Sequence, residues 1–338
     1  MEGTADMSNT ATQLEPVTLE RLIDATPDEA FALFTEPERL RRWQAISAAV
    51  DLRVGGGYRL TVTPNHTAGG TFIEIDPGKR VVYTWGWVGS DDLAPGASTV
   101  EVEFEPVGDQ TRVRITHRGL STEQAAGHAE GWTHYMERLG DAAGAGDAGL
   151  DPWASGGDEL DHLSAAEASW ALCRQVMLPL TPEHRELSTP CSDFTVHELV
   201  EHLMGSVRGL GGMAGAEIPE EIQATSAEDY IAQAVEPALA AWRARGIEGE
   251  LPFAGGQAPA IVPAGILSLE FFIHAWDFAR ATDQPFSAPD ALTAFVTDVA
   301  EQIIQPQFRG EGKGFAEIAA PAHDDAVSTL MAFTGRAT

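Results

Sequence analysis

The hydrophobic period of this chain changes halfway along, and that change limits what it can fold into. Up to about residue 120 apolar residues come in short runs broken by turn signals; beyond about residue 158 they recur at helical spacing. Between the two lies DAAGAGDAGLDPWASGG, residues 141–157, a stretch dominated by Gly, Ala, Asp and Ser. A strand-rich half and a helical half joined this way predict two domains, which 338 residues can supply. The expected division is a disordered arm over 1–13, an α+β domain over 14–140, a linker over 141–157 and a helical domain over 158–338.

In the first half the strand-like runs are AAVDLRV, YRLTVTP, GTFIEID, RVVYTWGWV, STVEVEFEPV and TRVRITHRG. Turn signals separate them: three glycines at 55–57, Asp76-Pro77-Gly78 and Gly108-Asp109. Close strands with short turns predict an antiparallel sheet. A helix precedes them, opened by Thr26-Pro27-Asp28-Glu29 with a cap, a first-turn proline and a glutamate three residues on. Another follows from about Ser121, with His128, Trp132, Tyr135 and Leu139 on one face. In RVVYTWGWV, alternation puts Val81, Tyr83, Trp85 and Trp87 on a common face. With Trp132 these aromatics either line a ligand cavity or fill a core. His66, His117, His128 and His134 are scattered and read as surface or capping residues, and no paired acid and base is visible.

The second half predicts helices near 158–179, 195–210, 226–245, 264–282 and 288–304, then an irregular stretch. LSLEFFIHAWDFARAT, from Leu267 to Thr282, carries Glu270, His274 and Asp277 at spacings of four and three, with apolar residues on both sides of the stripe. A buried carboxylate without a partner is costly, so these groups require one. Glu270 and His274, one turn apart, suit either a shared divalent metal such as Zn²⁺ or a Glu–His hydrogen bond. In TPCSDFTVHELVEHLMGSV, Thr195 and Glu198 form a capping box and His202 borders the apolar stripe, where it can reach the bundle interior. Asp277 reads as a supporting group that orients a ligand His or pairs with an arginine such as Arg280. Cys191 reads as a small buried residue shaping the turn before this helix. GLGGMAG at 209–215 ends a helix and follows no strand, so it is no dinucleotide loop.

Composition removes several function classes. With 21 Lys plus Arg against 51 Asp plus Glu, a formal charge of −30, the surface repels nucleic acid and anionic lipid. No apolar run approaches the roughly 18 residues of a membrane span, and the N-terminus lacks the pattern of a secretory signal. Two cysteines, Cys173 and Cys191, point to a reducing cytoplasm rather than a disulfide framework. Abundant Ala, Gly and Asp with only two lysines, Lys79 and Lys313, suggests a GC-rich genome of the actinobacterial kind. The expected partner is a small molecule, and the oligomeric state is open.

Two resemblances bear on this reading. GTFIEIDPGKRVVYTWGWV, STVEVEFEPVGDQTRVRITHRGL and GHAEGWTHYMERL, in that order, resemble bacterial relatives of the C-terminal domain of the Hsp90 ATPase activator (AHSA1-like), in the START-like helix-grip (SRPBCC) superfamily. Over about residues 15–140 this implies a curved antiparallel sheet around a long helix, with a cavity between them. STPCSDFTVHELVEHLMG, EFFIHAWDFARATDQP and FRGEGKGFAEIAAPAHDDAVSTLMAFTGR resemble DinB-like metal-binding bundles related to mycothiol-dependent maleylpyruvate isomerase, over about residues 160–336. The resemblance implies an all-α four-helix bundle with a two-His, one-Glu metal site, here His202, Glu270 and His274. It also implies zinc with an open coordination position and a thiol cofactor such as mycothiol; no residue is assigned as catalytic. The combined expectation is thiol-linked transfer or isomerisation on a small electrophile. A non-enzymatic binding or sensor protein is the alternative, and an Hsp90-type co-chaperone a third.

Overall fold

The computed structural model of the chain describes residues 15–157, 159–191, 194–253, 255–311 and 313–336. The expected arm over residues 1–13 lies outside them. The first half forms one antiparallel sheet of seven strands: β1 (Val17–Ile23), β2 (Ser47–Val50), β3 (Gly57–Thr63), β4 (His66–Asp76), β5 (Arg80–Trp85), β6 (Ser98–Val107) and β7 (Gln110–Arg118). Their order is β1-β7-β6-β5-β4-β3-β2. Neighbours in sequence are neighbours in space except β1, which closes against β7 with Val17 opposite His117 and Ile23 opposite Thr111.

Helix α1 (Pro27–Thr35) begins at the expected capping box: the Thr26 N–H donates to Glu29 Oε2 at 2.8 Å, and the Glu29 N–H donates to Thr26 Oγ1. A short helix α2 (Pro37–Leu40) follows, and a long α3 (Thr122–Ala145) ends the half. Three features depart from the sequence reading. Strand β1 is additional; its alternating burial is a signal that VTLERLI carries. AAVDLRV yields a strand only to Val50, because Asp51 N–H turns back onto Gly57 O at 2.9 Å. Helix α3 runs through the first five residues of the expected linker. Leu139 and Ala142 are buried on its inner face, and Gly146 stops it in the left-handed conformation (φ 85°).

The second half is helical: α4 (His162–Met177), α5 (Val196–Met213), α6 (Ala227–Arg245), α7 (Ile261–Ala281), α8 (Asp290–Ile303) and α9 (Ala326–Phe333), with a hairpin β8 (Glu250–Phe253) and β9 (Gly256–Pro259) before α7. Helix α9 lies where an irregular stretch was expected; Asp325 caps it by accepting the Ser328 N–H at 2.8 Å. Helices α4 to α7 pack as a ring of four, each against two others, and α8 covers the outer side of α7. Helix α5 approaches α6 closely at Gly211, where a side chain would meet the Cβ of Ala238.

Helix α7 explains its own composition. Leu267, Phe271 and Phe278 face a core built with Trp170, Leu199, Leu203 and Val235, whereas Leu269, Phe272, Ile273 and Trp276 face a second core with Val296, Leu330 and Met331. A helix buried on two sides is apolar on two sides. It is long and apolar enough to cross a membrane by composition, and 78% of that apolar window is buried inside the protein.

The chain divides into two compact units, and the division does not fall simply at the expected linker. The first comprises Met1–Glu36, Val50–Tyr58 and Ala68–Asp147; the second comprises Pro37–Ala49, Arg59–Thr67 and Ala148–Thr338. Within the second unit the Arg41 guanidinium meets Glu228 at 2.8 and 3.0 Å and Asp229 at 3.0 Å. The Glu228 side chain is fully buried, and Arg174 stands 3.5 Å from it. Burial would raise the Glu228 carboxyl; the two arginines outweigh it and hold it below its ordinary range.

Removing one member of such a pair strands the other charge. Arg41→Met is expected to lower the unfolding free energy of the second unit by about 3 kcal/mol in urea titrations. Arg41→Met combined with Glu228→Met is expected to recover most of it, because no uncompensated carboxylate remains at 228.

Candidate metal centre

His202, Glu270 and His274 come together. Each offers one ligand atom, and the three atoms lie within 4.8 Å of one another. Glu270 and His274 share one stripe of α7, and His202 arrives from α5, whose start is fixed by the reciprocal Thr195–Glu198 capping box. Glu270 Oε2 is 3.3 Å from His202 Nε2 and 3.6 Å from His274 Nε2. The two imidazole rings are perpendicular, with centroids 5.1 Å apart. His274 is buried, Glu270 partly so, and the His202 side chain is 36% exposed, so the cluster opens toward solvent on the α5 side. Phe194 stacks on the His202 ring at 5.0 Å.

Two sets of reference distances bear on this cluster. A hydrogen bond to a carboxylate brings nitrogen and oxygen to about 2.7–2.9 Å. Tetrahedral ligands about 2.0–2.1 Å from one zinc ion stand about 3.3–3.4 Å apart. The observed separations lie near the second figure. Glu270 Oε2 is moreover shielded from water, and among the described residues no well-aligned hydrogen bond reaches it; its polar neighbours are the two imidazoles. A buried, acceptor-only oxygen facing two imidazole nitrogens suits a cation. Among the described residues, the donor set therefore fits a divalent metal of the zinc type.

Asp277 contacts His274 and an arginine other than the one suggested by sequence. His274 Nδ1–H donates to Asp277 Oδ2 at 2.9 Å, which leaves Nε2 to face Glu270. Arg336 grips the other side of Asp277 with two hydrogen bonds, Nε to Oδ1 at 2.8 Å and Nη2 to Oδ2 at 2.6 Å. Arg280, the arginine suggested by sequence, instead lies over the Trp276 ring. Arg336 is placed by the end of α9. Gly335 takes a left-handed conformation (φ 85°), its N–H donates to Ala332 O, and the Arg336 N–H donates to Met331 O. That double closure is a Schellman turn, which sends the following side chain back across the helix end. No periodicity carried this residue; the glycine before it was the available signal.

The electrostatics follow from these contacts. Burial would raise the Glu270 carboxyl, but His202 and His274 together hold it far below the usual carboxylate range. Burial would lower His274, but Asp277 and Glu270 raise it to about 8. Burial also opposes ionised Asp277, and Arg336 outweighs it. Cys191 is close enough to Arg336 to add to its field.

In the first unit the four aromatic candidates also meet. Trp85 contacts Trp87 and Trp132, each at 5.5 Å between ring centroids, and Tyr83 joins them through Tyr58. Two histidines belong to this cluster, contrary to their reading as surface or capping groups. His117 is fully buried. Trp132 Nε1–H donates to its Nδ1 at 3.1 Å. Ser98 Oγ donates to Trp85 O at 3.0 Å and so accepts from His117 Nε2–H at 2.9 Å. This chain fixes a neutral imidazole, and burial, with His128 second, lowers its pKa to about 3. His128 donates from Nδ1 to Gln124 O at 2.7 Å, and burial lowers it too. A groove of about 680 Å³ elsewhere on this unit, lined by Pro27, Lys79, Phe104, Arg112 and Arg114 among others, holds none of the expected residues, and its cations are paired with carboxylates.

Known proteins resemble this chain as follows. Residues 24–144 match the family described as Activator of Hsp90 ATPase homolog 1-like protein. The uncharacterized protein Rv0738 of Mycobacterium tuberculosis is 32% identical over 151 residues, which cover 44% of this chain and 82% of that protein. The AHSA1-like protein RHE_CH02687 of Rhizobium etli is 41% identical, covering 44% of this chain and 94% of its own, with a TM-score of 0.35. DynU16, from the dynemicin biosynthetic locus, is 18% identical over 40% of this chain with a TM-score of 0.36, and the match spans 49% of DynU16. The chain belongs to the same family as Rv0738, and its N-terminal half contains an AHSA1-like domain. The antiparallel sheet and its helices in that half fit a START-like helix-grip fold.

His117 makes the first unit acid-sensitive. Its pKa is depressed in the folded state, so below about pH 6.5 the unfolded chain takes a proton that the folded chain refuses. Stability present above that pH is lost as the pH falls toward about 3. The expected loss is about 2 kcal/mol between pH 6.5 and 5 from this residue. His117→Gln can keep both hydrogen bonds without titrating, so its stability, followed by tryptophan fluorescence in urea, should lose that part of the pH slope.

Proposed function

We propose that this chain binds a divalent metal, zinc by donor chemistry, through His202, Glu270 and His274, and serves thiol-linked transfer or isomerisation on a small electrophile. The observation that carries the reading is the donor spacing of 3.3 and 3.6 Å around the water-shielded Glu270 oxygen. Three protein ligands leave a coordination position open, the pattern of catalytic rather than structural zinc. When bound, such a metal lowers the pKa of a coordinated thiol or water. The residues of this chain do the rest. Asp277 retains the Nδ1 proton of His274 and keeps its Nε2 lone pair available, and Arg336 keeps Asp277 ionised and in place. The two cores beside α7 shield the cluster from water, and the partly exposed His202 marks the side of approach. The ring of α4 to α7 is read as a DinB-like bundle, and the thiol as a low-molecular-weight cofactor of the mycothiol kind. The first unit supplies an apolar site for a small ligand, lined by Tyr83, Trp85, Trp87 and Trp132.

The AHSA1-like domain favours a second reading, in which the chain binds a ligand or a chaperone without chemistry of its own. Stimulation of an Hsp90 ATPase by the added chain, in the absence of any thiol-dependent turnover, would favour it.

Elemental analysis should find about one divalent metal per chain, lost in the His202→Ala, His274→Ala double variant. A chain purified without metal, whose stability added zinc does not raise, would sink the site; zinc at a hundredfold excess over its Kd should add about 2.7 kcal/mol. Thiol-dependent turnover of an electrophile panel with mycothiol separates the enzyme from the binder. Arg336→Lys keeps the charge but loses the two-pronged grip on Asp277, and should weaken metal binding about tenfold or more in chelator competition.

A further inference from the structure

The aromatic cluster of the first unit contains two polar atoms that nothing among the described residues satisfies. Trp85 Nε1–H is a donor without an acceptor, and His128 Nε2 is without a hydrogen-bond partner; both are shielded from water. Because His128 Nδ1 donates to Gln124 O at 2.7 Å and the ring is neutral, Nε2 carries the lone pair and can only accept. The rings of Trp85 and His128 lie 6.5 Å apart, and Trp87 contacts both, at 5.5 Å from Trp85 and 6.0 Å from His128. Of the neighbouring polar groups, His117 is saturated by Trp132 and Ser98, and Tyr58 donates to Thr84 O at 2.8 Å. Leaving a buried donor and a buried acceptor unmade costs about 1–3 kcal/mol each. Such a pair inside an otherwise satisfied aromatic cluster calls for a ligand that answers both.

We propose that this site binds a small aromatic molecule carrying a hydroxyl group, of the phenol class, whose oxygen accepts from Trp85 Nε1–H and donates to His128 Nε2. This names the ligand class of the apolar site proposed above and rests on that reading. The chemistry excludes other small ligands. A carboxylate accepts but cannot donate to a lone pair, and an ammonium group donates but cannot accept from an indole. An apolar molecule leaves both nitrogens unmet. Indole and imidazole edges and faces on several sides favour an aromatic body over an aliphatic one.

The segment 88–97 follows Trp87 directly. It folds back so that Trp87 N–H donates to Leu93 O at 2.7 Å, and it is held by Gln124 Nε2, which donates to Asp92 O and Oδ2 at 3.1 and 2.9 Å. Those two bonds to Gln124 are exposed and therefore weak. The residue whose side chain holds the segment is the one whose carbonyl orients His128.

The test uses the full chain, labelled with ¹⁵N at histidine and tryptophan, and two isosteric probes, p-cresol and p-xylene. The proposal expects p-cresol to shift the His128 Nε2 and Trp85 Nε1–H resonances together and to bind about tenfold or more tighter than p-xylene. His128→Phe keeps a ring at this position and should abolish the preference; Trp85→Phe should reduce it. If both probes bind equally, the hydroxyl recognition is overturned while the apolar site stands. If neither binds, and the two resonances stay where they are, both are overturned, and a bridging water only is the answer.

Discussion

The second unit depends on one constraint: α7 is buried along two sides, and its third side carries ionisable groups that cannot be left alone there. Asp277 is wholly buried, and an isolated carboxylate in that position would take up a proton or prevent the helix from packing. Arg336 supplies the compensating charge in a two-pronged contact, and with that settled Asp277 can accept a proton-bearing nitrogen from His274. The order of causes therefore runs from the end of α9 inward. The Schellman turn sets the arginine, the arginine sets the carboxylate, the carboxylate sets the imidazole, and the imidazole faces Glu270. The contacts of Asp277 with Arg336 and with His274 are charge-assisted and lie in a dry environment, where such contacts are strongest and their absence most costly.

The first unit meets the same problem without charge. His117 is buried as deeply as Asp277, yet it is held neutral, because Trp132 occupies its lone pair and Ser98 takes its proton. One unit thus stabilises an ion by pairing it, and the other removes the ion by saturating both nitrogens. The difference follows from the neighbours each fold offers. Helix ends bring arginines and carboxylates together, whereas the interior of a sheet–helix layer offers indoles, hydroxyls and backbone carbonyls.

Much of this was legible in the sequence. Period alone separated the sheet from the helices, and the capping boxes at Thr26 and Thr195 marked where α1 and α5 begin. Glu270 and His274 fell together because spacing on one helix translates directly into a shared face, whereas His202, on α5, joined them through its place at the border of an apolar stripe and the family resemblance. What escaped depends on contacts between residues far apart in the chain. Strand β1 pairs with β7 across most of the first unit, and Arg336 reaches Asp277 from 59 residues away. His117 was misread because alternation tells which side of a strand a residue lies on, but not which side is covered; His128, on α3, was misread because helical spacing does not tell what packs against that face. Residues 37–49 and 59–67 lie in the second unit because Arg41 and Ile46 are buried among its helices. No local pattern announces that.

The position of Arg336 has a consequence for how the chain is made. Asp277 and the apolar flank of α7 that faces α8 and α9 emerge from the ribosome 59 residues before the arginine that completes them. At common synthesis rates that interval is about 3–12 s. During it α7 carries an unmatched carboxylate and an uncovered hydrophobic flank, so the helix stays loosely held while the chain is still growing. The histidine it bears is correctly oriented only after the last turn of α9 has closed, which makes this centre a late product of folding rather than its nucleus.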